Sequence, residues 1–131
     1  MKSYNSALVL QKMVFDKIEF VRKGFKNQND LKLKLQVQIG TNEDDEYKVT
    51  LELLGEKPGE YNVQISLSGF FVIEASKELD DKTVQDMVNK NTVAILMPYI
   101  RSELTLLTAQ PDTDSVVLPP FNVNQMLSKD E

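Results

Sequence analysis

The sequence predicts an α+β fold, in which a four-stranded antiparallel sheet packs with one long helix and a short C-terminal helix. Two patterns carry this prediction. Apolar and polar residues alternate over residues 31–39 and again over residues 47–53, as in strands that bury only one face. Beyond residue 92, apolar residues recur at helical spacing instead. The 131 residues are enough for a single domain, residues 1–131, with one hydrophobic core.

Polar turns separate the predicted strands. The segment GTNEDDE, residues 40–46, joins the two alternating strands as a hairpin. The segment GEKPG, residues 55–59, is a second turn signal and precedes a strand over residues 61–75. An N-terminal strand over about residues 10–21 completes the set, although its alternation is less regular. In the strand over residues 61–75 the alternation changes phase at Gly69, so we expect a bulge or bend there.

The remaining sequence predicts helices. A helix over about residues 92–109 carries an apolar stripe at helical spacing, with Asn91 or Thr92 as its N-cap. The preceding residues 78–90 are polar, and we expect a short helical turn there. Residues 122–129 predict a short terminal helix. The long helix is apolar nearly all round. Because the sheet covers only one of its faces, another face is a candidate oligomer interface.

The composition argues against several classes of function. The chain has no histidine and no cysteine, which excludes a disulfide, a Cys/His zinc site, a thiolate nucleophile and a histidine general base. Its net charge of −5 disfavours binding to nucleic acid. No segment has the length and apolarity of a membrane span, and the N-terminal segment lacks a secretory pattern. We therefore expect a cytoplasmic protein that is no enzyme, holds no metal or cofactor, does not insert into membranes and binds no nucleic acid.

Two acidic groups have both a chemical and a plain interpretation. Residues 43–46 could hold a hard cation, but they lie at a predicted hairpin tip and lack a calcium-loop pattern, so a solvated turn is favoured. Asp112 and Asp114 could act as an acid–base pair, but the neighbouring Pro111 favours turn and capping roles. Neither group therefore predicts an active site.

Several segments are similar to one known family. The segment MPYIRSEL, residues 97–104, resembles the long-helix signature of SecB chaperones. The segment VVLPPFNVNQML, residues 116–127, resembles the part that leads into their last helix. The segments YKVTLELLGE and SGFFVIEA resemble their third and fourth strands, so that the resemblance extends over about residues 14–127. It implies a Greek-key sheet, and subunits that pair and then assemble through their long helices into a homotetramer, a dimer of dimers.

The same resemblance implies a function. SecB proteins are ATP-independent holdase chaperones, which keep unfolded precursor polypeptides in apolar grooves for protein export and translocation. Some relatives instead protect the antitoxin of a toxin–antitoxin pair, and this dedicated role is the alternative. SecB docks the SecA motor through acidic residues on its sheet. In this sequence the corresponding positions lie near Lys17, Val21 and Gln64, none of which is acidic. SecA is therefore a questionable partner, whereas unfolded polypeptides are the expected one.

Candidate site residues fall into two sets. Apolar side chains on the sheet, and on a terminal helix that acts as a lid, are assigned to a client groove: Phe15, Phe20, Phe70, Val72, Phe121, Val123, Met126 and Leu127. Residues of the long helix are assigned to subunit contact: Leu96, Tyr99, Ile100 and Glu103. Core packing is the alternative for the aromatic residues and for the terminal helix, and Tyr99 and Arg101 are alternatively structural. A small-ligand carrier and a purely structural oligomer also stay open.

Overall fold

A four-stranded antiparallel sheet and one long helix make up the part of the chain that the computed structural model describes, residues 8–42, 46–73 and 80–119. The elements follow in the order β1 (Leu8–Arg22), β2 (Lys32–Thr41), β3 (Glu46–Lys57), β4 (Tyr61–Ile73) and α1 (Asp81–Thr108). The order across the sheet is β1-β4-β3-β2, with antiparallel neighbours. The predicted α+β class and the four-stranded sheet are therefore confirmed. The predicted terminal helix, residues 122–129, lies outside the described residues.

One face of the sheet forms the core with α1. Alternate residues of β3 are buried on this face, as the sequence pattern predicts: Tyr47, Val49, Leu51 and Leu53. The alternate residues of β4 are buried beside them: Tyr61, Val63, Ile65, Leu67, Phe71 and Ile73. The helix contributes its own buried stripe: Met87, Val88, Val93, Leu96, Met97, Ile100 and Leu104. We call the opposite side of the sheet the helix-free face, because α1 packs on the other side.

Gly69 allows α1 to pack closely on the sheet. A Cβ atom at Gly69 would lie 2.8 Å from Leu96 Cδ2 and 2.9 Å from Phe71 Cε1. The expected bulge or phase change at this glycine is wrong, because β4 pairs regularly through it, with Met13 of β1 on one side and Val49 of β3 on the other. The helix, and not a bend of the backbone, explains the glycine.

Gly69→Ala is expected to lower the free energy of unfolding by about 1–2 kcal/mol, because the added methyl group presses on Leu96 and Phe71 in a closely packed core. Gly40→Ala is the matched control, since a Cβ atom at Gly40 meets nothing within 4 Å. Urea unfolding followed by circular dichroism measures both variants. Equal losses of stability in the two variants would contradict this role of Gly69.

Helix α1 begins about three turns earlier than the sequence predicts. Its N-cap is Asp80, whose carboxylate accepts a hydrogen bond from the Thr83 backbone N–H at 2.7 Å. The expected N-cap at Asn91 or Thr92 is wrong, because both residues lie inside the helix. The Thr92 hydroxyl donates to the Val88 carbonyl oxygen one turn back, which is how a threonine inside a helix satisfies its side chain.

Asp80→Ala is expected to lower the melting temperature by about 4 °C at neutral pH, because the first turn of α1 loses its cap. Hydrogen bonds from the Thr83 hydroxyl and backbone N–H hold the pKa of Asp80 below its usual value. The stabilisation is therefore present above the unfolded-state pKa, and it is lost as the pH falls through the lowered folded-state pKa. Asp86→Ala, at an exposed position of the same helix, is the control. A difference between the two variants that persists unchanged at about pH 2 would contradict the capping role.

Candidate functional site

Strand β1 exposes several large apolar side chains. Val14, Phe15, Ile18 and Val21 keep 38%, 36%, 44% and 45% of their surface exposed, respectively. The strand is 15 residues long and lies at an edge of the sheet. A long edge strand of this kind is a ready site for another polypeptide, because it presents backbone hydrogen-bonding groups and apolar side chains together.

The pairing with β4 divides the apolar residues of β1 between the two faces. Like Leu8 and Leu10 at the start of the strand, four further residues lie opposite core positions of β4 and therefore point to the side on which α1 packs: Met13, Phe15, Ile18 and Phe20. We call these four residues the β1 strip. Val14 and Val21 lie opposite Ser68 and Asn62 and point to the helix-free face. Because α1 packs mainly against β3 and β4, the β1 strip lies beside the helix rather than under it.

A β-bulge aligns the β1 strip. Its first two residues, Met13 and Phe15, are odd-numbered, and its last two are even-numbered. Strict alternation would send the two pairs to opposite faces. The register shifts by one residue between Phe15 and Lys17, which returns all four side chains to one face. The shift also explains why the alternation of the N-terminal strand is irregular in the sequence.

Aromatic and cationic groups fix one end of the β1 strip. The Phe20 ring stacks on the Tyr61 ring, with 4.7 Å between the centroids and 27° between the planes. The Arg22 guanidinium lies 5.7 Å from the Phe20 centroid. It also donates to the Gly24 carbonyl oxygen at 2.9 Å and to the Thr113 hydroxyl. These contacts hold the Phe20 ring in a fixed position.

Buried Glu60 anchors the connection between β1 and β2. The Lys23 N–H donates to the Glu60 carbonyl oxygen at 2.8 Å, and the Asn27 N–H donates to the Glu60 carboxylate at 2.9 Å. The Lys57 ammonium lies 2.8 Å from the same carboxylate and is the main reason that the pKa of Glu60 lies below its usual value. These contacts fix the connection on the β3–β4 turn. The fixed connection carries Phe25, which is 87% exposed.

The segment after α1 is tied back along the helix. The Arg101 guanidinium donates to the Leu118 carbonyl oxygen at 2.8 and 3.2 Å. The Thr105 hydroxyl donates to the Val116 carbonyl oxygen at 2.7 Å, and the Val116 N–H donates to the Thr108 hydroxyl at 2.8 Å. The bonds from Arg101 connect the two sequence segments that carry the family resemblance, and the bonds of Thr105 and Thr108 hold the same stretch of chain one and two turns further along the helix. They give Arg101 the structural role that the sequence left open.

The two aspartates after α1 serve as turn residues. Asp112 adopts a positive φ of 55° and accepts a hydrogen bond from the Lys26 backbone N–H at 3.0 Å. Asp114 lies 2.8 Å from the Lys26 ammonium, and this contact holds the pKa of Asp114 below its usual value. Both contacts tie the β1–β2 connection to the segment after the helix, which agrees with the turn interpretation. Of the acidic cluster, residues 43–45 lie outside the described residues.

The predicted groove residues do not lie on one surface. Phe15 and Phe20 belong to the β1 strip. Phe70 and Val72 alternate with the core residues of β4 and point to the helix-free face. The prediction that these four line one groove is therefore wrong, because the sheet itself separates the two pairs. Ile18 is the residue that the sequence prediction misses, since only the bulge brings it to the face of Phe15. The remaining predicted groove residues lie outside the described residues: Phe121, Val123, Met126 and Leu127.

The predicted subunit contacts divide between core and surface. Leu96 and Ile100 are fully buried against the sheet, so the prediction that they contact another subunit is wrong. Tyr99 is 45% exposed, and Glu103 is half-buried. Uncharged exposed residues recur every fourth position along the other side of the helix: Ala94, Pro98, Ser102 and Leu106. We call these four residues the outer face of α1. Their spacing is visible in the sequence and is a signal that could have identified them.

Metal binding and membrane insertion can be assessed for the described ranges. No group of three or more carboxylates in these ranges is placed to hold a metal ion. No helix within them has both the length and the apolarity needed to cross a membrane.

The fold is that of a SecB-like chaperone. No family model matches the sequence. Among solved structures, the SecB-like chaperone Rv1957 of Mycobacterium tuberculosis, in complex with a ChAD peptide from the antitoxin Rv1956 HigA1, superposes with a TM-score of 0.73. The superposition covers 90% of each chain at 10% sequence identity. The SecB-like fold that the sequence resemblance implies is thereby confirmed, and a likeness at this identity concerns the fold alone.

A relative in sequence places the chain in a family. The uncharacterized protein MJ0357 of Methanocaldococcus jannaschii is 32% identical to it, across 95% of this chain and 85% of the archaeal one. The chain belongs to the family of this archaeal protein. That relative is itself uncharacterized, so the family membership assigns no function.

Proposed function

We propose that this protein is an ATP-independent chaperone that holds non-native polypeptide segments on the β1 strip. One observation carries the proposal: Phe15 and Ile18 stand exposed between half-buried Met13 and Phe20, in one apolar row on a long edge strand beside the helix of a SecB-like fold. An exposed sheet edge binds an extended polypeptide through backbone hydrogen bonds, and the apolar side chains beside it select which client side chains fit. The net charge of −5 favours clients whose apolar segments are flanked by basic residues.

Within this class we propose a dedicated client, an antitoxin, ahead of general protein export. The solved SecB-like neighbour is bound to an antitoxin peptide, which supports the dedicated role. Export through SecA has less support. Lys17, Val21 and Gln64, at the positions where the resemblance places the SecA contacts, all lie on the helix-free face, and none is acidic.

We propose that the protein acts as a homo-oligomer, in which the outer face of α1 and Tyr99 contact a second copy. Small and uncharged residues let two helices approach closely, and Leu106 is 68% exposed. A dimer of dimers remains the assembly that the resemblance implies. The same resemblance implies a Greek-key sheet, and the strand order β1-β4-β3-β2 supports that connectivity.

The remaining expectations belong to the same proposal. The protein would act in the cytoplasm, without a nucleotide or another cofactor, and would catalyse no reaction. The short helix that the sequence predicts over residues 122–129 is proposed as the lid of the client site, with Phe121, Val123, Met126 and Leu127 on its groove side.

Aggregation of a chemically unfolded client on dilution, without ATP, tests the proposal. The wild-type protein is expected to suppress aggregation at a near-stoichiometric ratio, with an antitoxin as the best client. Phe15→Ser/Ile18→Ser is expected to remove most of this effect, because it takes the apolar side chains from the β1 strip. Val14→Ser/Val21→Ser is the matched control, since these residues are about equally exposed on the same strand but point to the helix-free face. No suppression with any client, or equal loss in the two variants, would contradict the proposal.

A further inference from the structure

An aromatic ring lies between two lysines on the helix-free face. Phe70 of β4 has Lys12 of β1 and Lys48 of β3 as its direct neighbours in the sheet register. The ammonium nitrogen of Lys12 lies 5.6 Å from the Phe70 centroid, and that of Lys48 lies 5.8 Å from it. Both distances fall in the range of cation–π contacts. The three side chains thus form one row across three strands, with the ring in the middle. We call this row the Phe70 row.

Apolar residues lie on both sides of the Phe70 row. Val9 and Val72 lie opposite each other on one side of it, and Val14 lies on the other side. The centre of the same face carries hydrogen-bonded polar groups instead. There the Thr50 and Ser68 hydroxyls lie 2.8 Å apart. These polar groups separate the apolar residues around the Phe70 ring from Val21 and Leu54 further along the same face.

An open cavity adjoins the Phe70 row. Its volume is about 410 Å³, and its lining includes Phe70, Lys48 and Gly40. Gly40 presents no side chain, and a Cβ atom there would meet nothing within 4 Å. Glu46 also lines the cavity, and its carboxylate accepts a hydrogen bond from the Asn42 side-chain amide at 2.9 Å. The cavity is large enough for one large side chain of a partner beside the ring.

The two lysines present positive charge on a protein of net charge −5. In the part of the chain that the structure describes, the ion pairs within 4.0 Å involve Lys17, Lys26 and Lys57, and neither lysine of the Phe70 row takes part in one. Their strands lie on either side of β4, about 10 Å apart. Two carboxylates that flank an apolar side chain can span this distance and pair with both ammonium groups.

We propose that the Phe70 row is a second docking surface, which binds an acidic polypeptide segment with an aromatic or aliphatic residue at its centre. The central side chain enters the cavity beside Phe70, and the flanking carboxylates pair with Lys12 and Lys48. This surface faces away from the β1 strip, so its partner is distinct from the proposed client and does not compete with it.

Fluorescence anisotropy of a labelled peptide tests this proposal. The probe is a peptide of about ten residues, with two glutamates on each side of one tryptophan. Lys12→Gln/Lys48→Gln is expected to weaken binding about fivefold, as the loss of two exposed ion pairs implies. Lys32→Gln/Lys34→Gln is the control, because it removes the same charge from the same face at a distance from Phe70. The control should bind as the wild type does, and binding should weaken as salt is raised.

Three results would overturn the proposal. Equal weakening in the two double variants would show general attraction by charge. Equal binding of a peptide with glutamine in place of glutamate would show that the lysines play no part. A lower mass of Lys12→Gln/Lys48→Gln without peptide, measured by light scattering, would assign the surface to a second copy of the chain. Loss of aggregation suppression in Phe15→Ser/Ile18→Ser is a separate result, because those residues lie on the opposite face.

Discussion

Leu96→Ala is expected to lower the free energy of unfolding by about 3 kcal/mol and to leave the oligomeric mass unchanged. Leu96 is fully buried, and its side chain packs over Gly69 of the sheet. Truncation to alanine removes buried apolar surface and leaves a cavity that a closely packed core fills only in part. The loss therefore falls on the stability of the subunit and not on contacts between subunits.

Leu106 provides the opposite case on the same helix. It is 68% exposed on the outer face of α1, so Leu106→Ala should change the stability of the subunit by less than about 0.5 kcal/mol. Leu106→Glu should reduce the oligomeric mass, because a charge would be buried in the proposed contact. Urea unfolding and light scattering on a sizing column measure the two effects. A reduced mass for Leu96→Ala with an unchanged mass for Leu106→Glu would contradict the assignment of the two faces.

Lys57→Met is expected to lower the free energy of unfolding by about 2–3 kcal/mol at neutral pH. The variant leaves the buried Glu60 carboxylate without its ammonium partner, and an unpaired buried charge is strongly destabilising. The loss is smaller than the roughly 3–5 kcal/mol for a fully buried pair, because this pair lies at a turn where a tenth of the Lys57 side chain is exposed. The Asn27 N–H still donates to the carboxylate, which also limits the loss.

The pH dependence of this variant follows from the direction of the pKa shift. In the wild type the hydrogen bond from Lys57 lowers the pKa of Glu60, so its contribution is present above the unfolded-state pKa and is lost as the pH falls through the lowered value. Without Lys57, burial favours the neutral acid, and protonation relieves the penalty. The difference between wild type and variant should therefore shrink from about pH 7 to about pH 3.

A double variant separates the charge from the packing. Lys57→Met/Glu60→Leu should recover much of the stability, because it removes both charges from the buried position. Urea unfolding over the pH range measures the single and the double variant. A single variant as stable as the wild type, or a penalty that grows on acidification, would contradict the role given to this pair.

The strands were predictable because successive side chains of a strand point to opposite faces of the sheet, so that burial of one face produces alternating polarity in the sequence. Residues 47–53 alternate in polarity, and in β3 the apolar ones are buried on the one face that packs with α1. The start of α1 was not predictable in this way. The first turns of α1 bury only a narrow stripe of side chains, which includes Met87 and Val88. Most other residues in these turns are polar and exposed, so they show no apolar helical pattern. The Asp80 cap and tertiary packing stabilise this part of the helix.

The candidate site was predictable in its residue types but not in its geometry. Phe15 was identified as an apolar candidate, but its grouping with Phe70 fails, because the alternation continues through Gly69 and sends Phe70 to the other face. Ile18 lies on the same face as Phe15 only because of the bulge between them, and a bulge cannot be predicted from a single sequence. The sequence analysis places Leu96 at a contact between subunits, because the sequence of a helix that is apolar nearly all round does not show which of its faces packs on the sheet.

A fluorescent label at position 18 tests the central claim most directly, namely that the β1 strip binds non-native polypeptide. The chain has no cysteine, so Ile18→Cys gives a single attachment site, and Val14→Cys gives a matched site on the opposite face of the same strand. An environment-sensitive dye at position 18 is expected to shift to the blue on addition of an unfolded client without ATP, and to saturate near one client per binding site. The same dye at position 14 should not respond. No shift at position 18, or the same shift at both positions, would contradict the claim.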